Sequence, residues 1–189
     1  MNRLKGFAIL EQYLPTKVID PALQIFIQEH TKMKKILEQL LKIARQSRKK
    51  SDKKKLELWL EKEQTLKKIW DLHCYKEETI VFSLLTKYVE PQIGPLAVIE
   101  YEHRHVNNHL SQFEKKIHLL MQEEVPSSEQ INEIYEHLHI VHMMLHDHFD
   151  KEERSGFILA QALLSDSEKK RALYQIKKIK VRISTRILR

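Results

Sequence analysis

Glycine and proline are scarce in this chain, three and five among 189 residues. Loop-rich and all-β architectures need turn residues about every 8–12 positions, so the shortage excludes them and leaves long helices. A single cysteine, Cys74, rules out an internal disulfide and fits a reducing compartment. No apolar run approaches the roughly 18 residues a membrane span requires. The opening MNRLKGFAILEQYLPTK lacks the apolar stretch and small-residue cleavage site of a secretory signal. A helical protein of the cytoplasm is expected, of a length that suits one domain.

Charge is plentiful and unbalanced. Charged residues make up 31% of the chain and the formal net charge is +7. The excess sits in two runs, residues 45–55 (RQSRKKSDKKK) and the tail from Lys169 to Arg189. The first falls where a helix connection is expected and reads as a solvated loop. The tail spaces Leu173, Ile176, Ile179, Ile183 and Ile187 at helical period among its Lys and Arg. Such a helix can dock on the rest of the fold, lie on an anionic surface or meet an acidic protein partner. Docking fits best. No aromatic interleaving or motif points to a specific nucleic-acid partner.

Helix punctuation is clear. Asp20-Pro21 pairs an N-cap with Pro at the first helical position, and Leu23, Phe26, Ile27, Met33, Leu37 and Leu41 come after it at helical period. A second helix should begin near Ser51 and run to Pro91 through Leu56, Trp59, Leu66, Ile69, Trp70 and Ile80. Gly94-Pro95 should open a third, broken by Pro126, with Leu96, Ile99, Val106, Leu110, Phe113 and Ile117 inward. Ser127-x-x-Gln130 and Ser165-x-x-Glu168 are capping boxes for a fourth helix reaching about Leu164 and for a fifth, basic helix. The expected fold is all-α, an up-down-up-down four-helix bundle over residues 21–164. A short N-terminal helical arm (1–20) and the C-terminal basic helix (165–189) extend it.

The chain also repeats itself. His73 to Phe82 reads HCYKEETIVF and His148 to Phe157 reads HFDKEERSGF, and both copies carry His-x-x-x-Glu. Upstream of each stands a Glu-His pair, Glu29-His30 and Glu102-His103. Residues i and i+4 share a helix face, about 5–6 Å apart at Cβ. His73 with Glu77, and His148 with Glu152, therefore project from the apolar stripe of their helices. Buried carboxylates are costly unless paired or bound to metal. Two readings are open: a polar core layer of His-Glu hydrogen bonds, or a dinuclear metal site of His30, His73, Glu77, His103, His148 and Glu152. Duplication of the whole set favours the metal site.

These motifs resemble those of the hemerythrin-like family, the HHE cation-binding domain. Its marks are Glu-His on the first and third helices and His-x-x-x-Glu with an aromatic after it, here Phe82 and Phe157, on the second and fourth. The resemblance spans about residues 21–164. It implies a non-haem di-iron centre with an oxo or hydroxo bridge, two His on each iron, and Glu77 and Glu152 as bridging carboxylates. Imidazole and carboxylate also accept zinc or manganese, so iron rests on the resemblance. Oxygen-carrying hemerythrins have a second His four residues after the third-helix His, where this chain has Asn107. They end on an Asp ligand, where this chain has Glu152 one residue closer to its His. The ligand set is more similar to bacterial di-iron proteins of nitrosative and oxidative stress and iron-centre repair. Those carry a cysteine-bearing N-terminal domain, and the first twenty residues here contain no Cys.

Nearby positions carry open alternatives. Glu100 and Asn107 share a face with His103 and read as extra ligands, supporting hydrogen-bond partners or an ordinary polar rim. Cys74 reads as a redox-sensitive thiol near the metal or a small buried residue. Ser155-Gly156 stands where the first copy has Ile80-Val81, which either opens a path for a small ligand or eases packing. His139, His142 and His146 line one face of the fourth helix, as a solvated stripe or a surface metal site. The functional expectation is a di-iron protein reacting with or sensing O2, NO or peroxide. A redox enzyme and a regulatory binding module are both compatible with the sequence.

Overall fold

A computed structural model describes residues 19–49, 53–123 and 126–187. Among these residues every regular element is helical, and the chain is an all-α helical bundle. The elements are α1 (Pro21–Lys49), α2 (Lys53–Lys76), a π-helical stretch Glu77–Phe82 and α3 (Ser83–Leu85). Then come α4 (Pro95–Leu120), α5 (Ser128–Lys151), a second π-helical stretch Glu152–Gly156, α6 (Phe157–Leu163) and α7 (Asp166–Ile187). No helix among the described residues is long and apolar enough to cross a membrane. The expected N-terminal arm lies outside the described residues, apart from Ile19 and Asp20.

The helix ends form as their residues dictate. The Ala22 amide donates to Asp20 Oδ1 at 2.8 Å, the N-cap bond expected before Pro21. Both capping boxes close reciprocally. The Gln130 amide donates to Ser127 Oγ at 3.2 Å, and the Ser127 amide to Gln130 Oε1 at 2.9 Å. The Glu168 amide donates to Ser165 Oγ at 3.3 Å, and the Ser165 amide to Glu168 Oε2 at 3.0 Å. Gly94 turns the chain into α4 at φ 82°, a conformation that favours glycine.

Residue contacts divide the chain into two compact units. One comprises Met1–Gln28, His73–Glu100 and Asp150–Arg189, and the other Glu29–Leu72 and Tyr101–Phe149. The first is built on Phe26, Leu85, Leu96, Ile99, Phe157 and Ala160. Helix α7 joins this core through Ala172 and Ile176, with Leu173 and Ile179 partly buried beside them. Lys87 Nζ donates to Glu168 Oε1 at 2.9 Å and the Tyr88 hydroxyl to Glu168 Oε2 at 2.8 Å. The Lys87 bond, helped by Ser165 and Tyr88, holds the Glu168 carboxyl down at about 2. The start of the basic helix is thus docked. The side chains of Ile183 and Ile187 lie outside the described residues.

In three places the structure departs from the sequence reading. The basic run at 45–55 is mostly helix rather than loop, since α1 continues to Lys49 and α2 starts at Lys53. Arg45 and Arg48 explain this: Arg48 donates to Asn132 Oδ1 at 2.7 Å and lies over the Tyr135 ring. The second departure is the pair of π-helical stretches. Each holds one residue more per turn than continuous α-helix, which rotates the downstream residues by about 100° around the axis. In the second copy this takes Ser155 off the buried face, its hydroxyl bonding back to the Lys151 carbonyl. Gly156 and Phe157 are buried instead. A Cβ on Gly156 would lie 3.0 Å from Ile99 Cδ1, so this glycine serves close packing rather than a path for a ligand.

The third is a carboxylate the sequence reading passed over. In the second unit Leu56, Trp59, Glu63, Leu66 and Trp70 alternate three and four residues apart on the buried face of α2. Glu63 is fully buried, and neither of its oxygens finds a hydrogen-bond partner among the described residues. Burial, reinforced by Glu114, raises its pKa from 4.5 to about 7. The folded state then holds this proton more tightly than the unfolded chain. The resulting stabilisation is complete below about pH 4.5 and is lost as pH rises through 7. In urea titrations at stepped pH, wild type should lose roughly 3 kcal/mol over that window relative to Glu63→Gln. Parallel profiles for the two proteins would contradict the assignment.

Candidate metal centre

Four imidazoles and two carboxylates on the duplicated motifs are buried: His30, His73, Glu77, His103, His148 and Glu152 are each at most 2% exposed. Six ionisable side chains in an apolar interior need strong compensation.

In the first unit, His73 lies in the last turn of α2, one turn before Glu77, and Glu77 opens the π-helical stretch. His73 Nε2 lies 3.3 Å from Glu77 Oε2 and 3.6 Å from Glu152 Oε2. Glu152 opens the other π-helical stretch, so both copies leave α geometry at their carboxylate. π-Bulges gather at functional sites because the extra residue redirects a side chain without ending the helix. Phe26 meets the His73 ring edge-on at 5.5 Å, and Lys76 Nζ lies 5.3 Å from the Phe26 ring centre. Lys76 is itself buried.

In the second unit, His103 on α4 and His148 on α5 bring their rings to 4.9 Å. Trp70 packs edge-on against both, at 5.3 and 5.2 Å. The Trp70 indole N–H donates to Asn107 Oδ1 at 2.9 Å, which fixes the ring that fixes the two histidines. Asn107, considered as a ligand or a supporting partner, therefore acts in this structure through Trp70. His148 Nδ1 lies 3.0 Å from Glu102 Oε2. With the proton on Nδ1, Glu102 leaves Nε2 as the ligand nitrogen, the usual arrangement of a carboxylate behind a metal-binding imidazole. His30 stacks on Phe149 at 4.2 Å.

Within the first unit His73, Glu77 and Glu152 form one group of candidate ligands, and within the second His103 stands beside His148. The donor chemistry suits iron, zinc or manganese equally, because imidazole nitrogen and carboxylate oxygen serve all three. Of the other positions singled out in the sequence, Cys74 is buried and Glu100 is half-buried in the first unit. Neither belongs to a ligand group.

Sequence reasoning named Glu102 only as part of the Glu-His motif and gave it no role. Spacing along one helix carries no signal for this role, since the partner that Glu102 reaches lies on α5. Trp70 and Phe26 were read as core alone, and Phe149 was not singled out. Replacing Glu102 with Gln should weaken metal binding by about 10–100-fold while leaving the fold intact. Metal titration beside circular dichroism measures both. Unchanged affinity would show that His148 needs no carboxylate to orient it.

No curated protein matches the chain. The family model described as the hemerythrin HHE cation-binding domain matches residues 22–155, from the first turn of α1 into the second π-helical stretch. That span includes all six candidate ligands, His30, His73, Glu77, His103, His148 and Glu152. With these motifs in order on their helices and their side chains buried, the chain belongs to the hemerythrin HHE cation-binding family.

Proposed function

We propose that this protein holds two iron ions and uses them in the cytoplasm to react with or sense O2, NO or peroxide. The observation that carries the reading is the composition of the two ligand groups. The first unit offers His73, Glu77 and Glu152 from buried positions, and the second His30, His103 and His148. Glu152, shared between the two irons, would let them act as one centre. When bound, a pair of irons supplies small-molecule binding and one-electron redox chemistry.

The protein's own groups prepare the site. Glu102 keeps the Nδ1 proton on His148, so that the ring presents a lone pair at Nε2. Phe26, Trp70 and Phe149 pack against the histidine rings and keep water away from them. A dry, aromatic-lined interior strengthens every charge interaction within it and favours a small, weakly solvated ligand. Asn107, at the position of an oxygen carrier's extra histidine, is engaged by Trp70. That supports reactive or sensory chemistry over simple oxygen carriage.

One observation favours the regulatory form of this reading. Helix α7 packs on the π-helical stretch Glu77–Phe82, whose first residue is a candidate ligand. A shift of Glu77 on ligand binding would reach α7 directly, and the basic helix could pass it to an acidic partner. Stopped-flow spectra of the reduced, iron-loaded protein mixed anaerobically with NO, and separately with O2 or peroxide, decide the matter. At least one should change the iron spectrum. Repeated turnovers identify a redox enzyme, and one stable adduct that alters proteolysis of α7 identifies a sensor. No spectral change with any of the three overturns the proposal.

A further inference from the structure

Away from the buried centre, α5 carries a second set of histidines. His139, His142 and His146 recur three and four residues apart on a single face of the helix, and all three are half-buried. The rings of His142 and His146 lie 4.4 Å apart at an angle of 40°. The rings of His139 and His142 are 6.1 Å apart. Next to them runs a surface groove of about 420 Å³ whose lining includes Glu38, Lys42 and Arg45 of α1 with His139 and His142.

We infer that His142 and His146 form a second, exchangeable metal site on α5 for a late first-row dication such as Cu2+, Ni2+ or Zn2+.

Geometry comes first. Two histidines at i and i+4 on a helix are a ready bidentate chelate, because their side chains project from the same face one turn apart. Metal–imidazole bonds of about 2.0–2.1 Å require ligand nitrogens roughly 3.3 Å apart. Rings with centres 4.4 Å apart reach that by small side-chain rotations.

Proton and hydrogen-bond states also suit binding. Nε2 of His146 is buried and has no hydrogen-bond partner among the described residues, so its lone pair is uncommitted. His142 is held below the ordinary imidazole range, chiefly by burial and then by His146 and His139. It is therefore a neutral donor rather than a cation near pH 7. Glu38, across the groove, interacts with His142 and adds the negative charge a dication needs.

Charge sets the limits of the site. Lys42 and Arg45 share the groove and oppose a dication, although Arg45 reaches toward the Tyr135 hydroxyl at 3.5 Å. The site is thus an open two-imidazole chelate with water on its remaining positions, and the metal exchanges. The Irving–Williams order favours copper and disfavours ferrous iron at such nitrogen donors. The selectivity is therefore distinct from the buried centre, whose carboxylates accept harder ions.

The test begins from protein as purified, treated with ferrous iron, desalted and assayed for metal. Zn2+ titration followed by calorimetry should reveal an additional equivalent per chain. The Cu2+ form should give an electron paramagnetic resonance spectrum split by two nitrogens. His142→Ala should weaken the added ion at least about tenfold and leave one nitrogen in the copper spectrum. Iron content should stay as in wild type. His146→Ala should do the same, and His139→Ala should change affinity less than either. Binding that survives both the His142 and His146 substitutions, or wild type that takes up no additional ion, overturns the site. If only iron content falls, the assignment also fails, because the two histidines then serve the buried centre.

Discussion

Everything in this protein turns on burying ionisable groups where water cannot compensate them. Glu77 and Glu152 are fully buried, and His73 stands within 3.6 Å of both. A lone carboxylate in such a place neutralises, as Glu63 shows: burial and Glu114 push it up to about 7. Glu77 and Glu152 differ from Glu63 in having the His73 imidazole beside them. That difference separates a binding centre from a core defect. A dication among carboxylates and neutral imidazoles offsets the desolvation of all of them together.

The constraint extends outward through the groups that hold the ligands. A ligand histidine must present a chosen nitrogen at a chosen angle, and its other nitrogen and its ring faces are the means of fixing it. His148 is fixed through Glu102, and His103 and His148 together through Trp70, which Asn107 anchors. His30 and His73 are fixed by stacking and edge contacts with Phe149 and Phe26. Helix α7 completes the first unit by seating Ala172 and Ile176 in its core and tying Glu168 to Lys87 and Tyr88.

Most of the fold was legible because its signals are local. Asp20, Ser127 with Gln130, and Ser165 with Glu168 cap the helices they were expected to cap. The inward positions of α4, from Leu96 to Ile117, are all buried. The six candidate ligand positions stood out in the sequence for another reason, since the same spacing occurs twice. The π-helical stretches did not. Each begins at a buried carboxylate, Glu77 or Glu152, and no residue preference within EETIVF or EERSG announces it. The reach of Glu102 to His148 was hidden too, because it joins two helices and sequence spacing reports only neighbours on one. Helical continuation through Arg48 was missed because its partners Asn132 and Tyr135 are some 85 residues away in sequence.

The central claim is that Glu152 serves two ions at once. The most direct measurement is the metal stoichiometry of protein purified anaerobically, wild type against Glu152→Ala, with thermal stability followed with and without a chelator. The account predicts about two metals per chain in wild type, at most one in the variant, and wild-type stability that falls when the metal is stripped. Two metals retained in the variant, or a wild type that holds fewer than one and ignores the chelator, would contradict it.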